Sequence, residues 1–319
     1  MNDITQAHAP ALDFVRQLDI AVAGSGRLWR AASPAAFSED RPQPACAYVA
    51  GASVAAFADG IYGQQREDLL NSTLLAQLSA NQAHAREGDT LDWYAWYRRV
   101  LLKLGWQRVP TREPKQLPPL APRRDPRLQL HRHAFRIAPR LQPGLHFPRP
   151  PRPHGAGQVA DPAHAAAAPF TPFKPLDIAE PRFSADGAAL ALLRNKVDSA
   201  ALHGAEAALE ALRGLDQRDR RTQIFESNAH RGASGNFQII SASTVSEQLL
   251  SMTMACCFFA TSEPVTRLLG FHFGRTTTTM YQACDTLTLD AADYAPLRAQ
   301  VIDQLGDQAA AFIDEIDLA

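Results

Sequence analysis

Seventeen of the 23 prolines in this chain fall between Arg108 and Pro181. Proline fixes φ and removes a backbone donor, so this density excludes helix interiors and central strands. From Arg108 to Ala160 there are eleven Lys/Arg and two acids, Glu113 and Asp125, a local charge of +9 in a chain of net −1. Five of the ten histidines (His131, His133, His146, His154 and His164) lie in or just after it. Its large apolar residues, Leu128, Phe135, Ile137 and Phe147, follow no sustained period. The expectation is a disordered, polyproline-like segment or a stretch translated out of frame. Abrupt Pro/Arg/His/Ala enrichment between periodic flanks is what an alternative frame of a GC-rich gene yields. A polybasic arm for nucleic acid or acidic membrane is the third reading, and scarce aromatic stacking groups weigh against it. The expected organisation is a weakly patterned segment 1–60, a helical hairpin 61–107, the Pro/Arg/His-rich segment 108–181, and helices plus sheet over 182–319. The last of these is expected to pack with 61–107 as one domain.

The flanks carry enough apolar sequence for a sizeable core, since 46% of the 319 residues are hydrophobic. The longest candidate apolar run, Ala45 to Ala58, is shorter than the roughly 18 residues that span a bilayer. The first residues lack the basic and apolar regions of a secretory signal. Four cysteines do not make a disulfide scaffold. The expected location is cytoplasmic, or exported without a Sec signal, and nucleic acid is not an expected partner.

Periodicity predicts a short helix over Ala11–Ile20, then helices over Gln65–Gln82 and from Thr90 to Gly105. Leu70, Leu74, Leu75 and Leu78 share a face of the first of this pair. Trp93, Trp96, Tyr97, Val100, Leu101 and Leu104 line the second. Helices return over Asp186–Val197 and Ala200–Arg213. Strands are expected at Thr222–Phe225, Phe237–Ser241, Leu249–Phe259, Val265–Phe273 and Thr276–Leu289, with turns at Gly232–Asn236 and Gly274–Arg275. Leu249–Phe259 is apolar or small on both faces and reads as central. A helix over Ala291–Leu305 and a further turn or helix close the chain. The fold class is α+β: a helical hairpin on an antiparallel meander of about five strands with a closing C-terminal helix.

Motifs for chemistry are sparse. Cys256 and Cys257 are adjacent in a strand, so they point to opposite faces and read as small buried hydrophobes. If the chain is an enzyme, the candidates are Cys257 as nucleophile, with Cys284 and Cys46 behind it, and His230 and His272 as acid/base groups. Asp216, Asp219, Glu226 and Asp285 are available carboxylates that no spacing ties together. His131 and His133 form an HxH pair without further ligands, so no metal site is expected. Gly24-Ser25-Gly26 lacks the later Gly-Lys-Ser/Thr of a phosphate loop. No cofactor is expected.

The string Asp68-Leu-Leu-Asn-Ser-Thr-Leu-Leu-Ala-Gln-Leu78, the Asp92-Trp-Tyr…Tyr97 helix with its Leu104-Gly-Trp106 end, and Phe225-Glu-Ser-Asn-Ala-His230 resemble an uncharacterised bacterial family. That resemblance covers roughly 60–106 and 190–318, implies a helical hairpin, sheet and closing helix, and brings no activity. A looser architectural similarity is to virulence-factor and cytolytic delta-endotoxin-type proteins, which supplies a membrane-active alternative. The C-terminal region opposes adsorption to anionic lipid, with seven acids and one base, Arg298, from Asp290 to Ala319. The sequence reading is a non-enzymatic binding or interaction protein, an accessory of bacterial virulence or competition with an unidentified protein or lipid partner. The alternatives are a cytolysin-like protein and a Cys/His enzyme.

Overall fold

The computed structural model describes residues 2–21, 42–84, 90–109, 174–175, 184–271 and 278–318. These belong to one compact unit, built from chain on both sides of the proline-rich stretch. Nearly all of 108–181, including His131 and His133, lies outside the described residues, as do Gly24–Gly26, His272 and the Gly274–Arg275 turn.

The elements run in order as α1 (Asn2–Arg16), β1 (Pro42–Gln43), β2 (Cys46–Ala50), β3 (Ser53–Phe57), β4 (Ile61–Tyr62), α2 (Gly63–Ala83) and α3 (Thr90–Lys103). Then follow β5 (Gln107–Arg108), β6 (Lys174–Pro175), α4 (Ala185–Arg194), α5 (Ser199–Gly214) and α6 (Arg220–Ala229). The C-terminal part holds β7 (His230–Arg231), β8 (Ser234–Thr244), β9 (Leu249–Thr261), β10 (Thr278–Asp290), α7 (Ala291–Leu305), α8 (Asp307–Phe312) and β11 (Ile313–Ile316).

Helix and sheet are combined as expected of α+β, but the sheet is not a five-stranded meander. Among the described residues nine strands join it, in the order β11-β2-β3-β8-β9-β10-β5, with β6 on β10 and β7 on β8. Only β8–β9–β10 form the antiparallel meander. β3 lies parallel to β8, with Ser53 opposite Gln238, which makes the sheet mixed. The N-terminal hairpin β2–β3, in the segment expected to be weakly patterned, sits inside the sheet. Every residue of both strands is buried. A strand covered on both faces needs no polar alternation, and that removes the period-two signal.

One face of the sheet packs under α1, α2, α3 and α7, through Tyr48, Phe57, Ile240, Met252, Met254 and Leu287. The other packs under α4, α5 and α6, through Val49, Val54, Ile239, Phe237, Phe259 and Met280. Trp93, Tyr97, Val100, Leu101 and Leu104 face the first interior as the helical period requires. The α3 tryptophans are tied to α2: Trp93 Nε1 donates to Asn81 Oδ1 at 2.9 Å and Trp96 Nε1 to Ser79 Oγ at 3.0 Å.

Three local expectations are corrected. Thr222–Phe225 is helical within α6, where Thr222, Phe225 and Ala229 are buried at i, i+3 and i+7. Asp219 caps that helix by accepting from Arg221 N at 2.9 Å. Residues 265–271 are irregular rather than a strand. The chain closes on β11, not on a helix: Ile313–Ile316 pair antiparallel with β2 at the sheet edge. Arg220 and Arg221 clamp this edge, donating to Asp314 Oδ2 at 3.0 Å and Asp317 Oδ2 at 2.8 Å. Charged edge residues of this kind disfavour pairing with another chain.

Candidate functional site

The Phe225–His230 motif forms the end of α6 and the start of β7, with no bare turn. The four-residue spacing puts Glu226 and His230 on one helix face. His230 Nε2 lies 2.8 Å from Glu226 Oε2, both side chains mostly buried. The carboxylate also holds the irregular segment in place: Leu268 N donates to Oε2 at 2.7 Å and Leu269 N to Oε1 at 3.2 Å. Both carboxylate oxygens thus accept main-chain donors, and Glu226 works as a latch between α6 and 268–269. His272, the other expected acid/base residue, is outside the described residues.

The cysteines are separated by the sheet. Cys257 faces the α4–α6 side and Cys256 the α2–α3 side, as strand alternation requires. Neither is solvent-accessible. Burial pushes the Cys257 thiol well up, the nearby Cys284 adding to it, and raises Cys284 itself to about 12. Cys46 is likewise raised by burial, to about 11. Each is held as a neutral thiol, the opposite of the activated thiolate that nucleophilic catalysis needs.

A second constellation was missed in the sequence and lies under α2 and α3. The β2–β3 turn passes through Gly51 at φ 59°, where an added Cβ would sit 2.1 Å from Gln77 Oε1. This close approach lets Gln77 Oε1 accept from Ala52 N at 2.9 Å. Gln77 Nε2 donates to Gln238 Oε1 at 2.9 Å, and Ser53 Oγ donates to the same oxygen at 3.0 Å. Gln238 Nε2 donates to Asn236 Oδ1 at 2.8 Å. Gln77 and Gln238 are wholly buried, and Ser53 and Asn236 nearly so.

This chain of amides ends on an unsatisfied donor. Asn236 Nδ2 is buried without a hydrogen-bond partner. Cys256 stands opposite Gln238 in the β8–β9 ladder and acts electrostatically on Tyr97 of α3. The Tyr97 hydroxyl is also buried without a partner. Desolvation, with Cys256 as the lesser cause, pushes the Tyr97 phenol well above its ordinary value. On the same sheet face Tyr94 Oη donates to Asp285 Oδ2 at 2.7 Å, and Arg98 and Arg108 lie 3.7 and 3.6 Å from that carboxylate. Asp285 was legible only as an available carboxylate; its partners come from α3 and β5, 177 to 191 residues upstream in the chain.

Among the described residues no group of three or more His, Cys, Asp or Glu is placed to hold a metal ion, and no helix is long and apolar enough to cross a membrane. Compared with protein-family models, curated proteins and solved structures, the chain matches none of them.

Proposed function

We propose that the chain acts by binding rather than turnover, holding a small, uncharged polar ligand among Asn236, Gln238 and Tyr97. The observation that carries this reading is that Asn236 Nδ2, at the end of the amide chain, and Tyr97 Oη, on the same sheet face, are both buried without a hydrogen-bond partner. An unpaired buried polar group costs roughly 1–3 kcal/mol, so two on one sheet face are groups to which a partner returns free energy. The donors ask for a ligand with acceptor oxygens, such as an amide, alcohol or ketone. A net charge there would pay a large desolvation penalty. The thiols and the Glu226 latch support the same reading, because each is engaged in holding the fold.

Native mass spectrometry of the purified chain tests it. The expected result is an adduct that leaves on denaturation and is lost in Tyr97→Phe and Asn236→Leu. A native mass equal to that of the polypeptide, with or without those substitutions, overturns the reading.

A further inference from the structure

We infer that residues 113–173 are an insertion into a single edge strand, and that the fold closes without them. β5 and β6 both pair antiparallel with β10, on the side away from β9. β5 sets Arg108 opposite Leu287, and β6 sets Lys174 opposite Gln282. Passing from one pairing to the other takes five steps along β10 but 66 along the chain. An antiparallel ladder advances one residue on each strand per step, so 61 residues are surplus to the register. Val109 N donates to Thr286 O at 3.0 Å, which continues β5 toward β6 in the same register.

Removing 113–173 joins Arg112 to Lys174 and makes one strand from Gln107 to Pro175 with no residue extra or missing. A deletion longer or shorter by one residue would slip β6 by one position against β5, so that both could not keep their present pairing with β10. Arg108 needs its present face to reach Asp285, 3.6 Å away. Fourteen of the 23 prolines fall within 113–173, and these are the residues least able to continue a strand. Loop-closure entropy grows only slowly with length, so an insertion of this size is compatible with an intact sheet. Gln77, Tyr97, Asn236 and Gln238 all lie outside 113–173, so this inference and the ligand reading fail separately.

The test compares thermal unfolding of the full chain with four variants. One lacks 113–173, two are out of register by one residue (lacking 114–173 or 113–174), and one lacks 128–158, about half the insertion. The in-register variant is expected to melt at or above the full chain's Tm, the half-deletion within about 3 °C of it, and the out-of-register pair at least about 4 °C lower. The inference is overturned if the in-register variant melts no higher than the out-of-register pair, or fails to fold. Loss of the fold in the half-deletion overturns it equally, by showing that the removed residues carry contacts the core needs.

Discussion

Arg298 of α7 grips Asp68 of α2 through two hydrogen bonds, Nε to Oδ1 at 2.7 Å and Nη2 to Oδ2 at 2.8 Å. Asp68 is 2% exposed. Burial pushes its carboxyl up, while the guanidinium hydrogen bonds pull it back down and raise Arg298 in turn. The pair ties α7 to α2, the buried helix of the first half. Arg298→Ala would leave a carboxylate buried without its cation, at a cost of about 3–5 kcal/mol in urea unfolding at pH 7. A carboxyl raised further above its unfolded value near 4 contributes stability that is fully present below that pH and lost as pH rises through its folded value. The penalty is therefore expected to shrink as pH falls toward about 4 and to stay constant below it. A penalty independent of pH would show that Asp68 is not the group exposed by the substitution.

Glu226→Ala removes the acceptor of two main-chain N–H groups and the partner of His230. Hydrogen bonds to a charged group are worth about 1.5–3 kcal/mol each, and water entering the gap recovers part of that. The expected loss is about 2 kcal/mol, with amide exchange accelerating at Leu268 and Leu269. Unchanged exchange at those amides would contradict the latch.

Asp219 links acid stability to the α6 cap. Its hydrogen bond from Arg221 lowers its carboxyl below the ordinary value, despite the opposing effect of burial. A lowered group contributes stability that is present above the unfolded value near 4 and lost as pH falls through the folded value. Asp219→Ala is expected to cost about 1 kcal/mol at pH 7. The wild-type and variant curves should converge as pH falls below about 4, through the lowered folded value. A constant gap down to pH 2 would rule out this linkage.

Cys257 gives a direct check on thiol chemistry. All four cysteines are free and buried, and the raised thiols keep thiolate scarce at neutral pH. A disulfide reagent at pH 8 should release no more than trace product from the native chain and four equivalents after denaturation. Fast native labelling of one equivalent, abolished by Cys257→Ser, would favour the Cys/His enzyme alternative over binding.

The elements with a strong period were legible. Trp93 to Leu104 recur at helical spacing on one buried face, and the even and odd residues of Leu249–Phe259 divide between the two sheet faces. Those without a period were not. Cys46–Phe57 is small, apolar and buried on every side, so neither alternation nor helical spacing shows. In Thr222–Phe225 β-branched and aromatic residues imitate a strand, and the burial of Ala229 with the Asp219 cap decides for helix.

The polar cluster is visible in the sequence only as an inconsistency. Asn236 and Gln238 stand on the same face as Ile240 and Ala242, and Gln77 stands among the leucines of α2. Polar residues at core positions require partners. Which partners they find depends on the parallel pairing of β3 with β8 and on the turn at Gly51, and neither has a local signature.

An experimental electron-density map at about 1.8 Å, phased for the full chain as purified, addresses the binding account most directly. The account predicts connected non-protein density larger than one water, within hydrogen-bond distance of Tyr97 Oη and Asn236 Nδ2. Single water peaks at those atoms, or protein groups bonded to both, would contradict it.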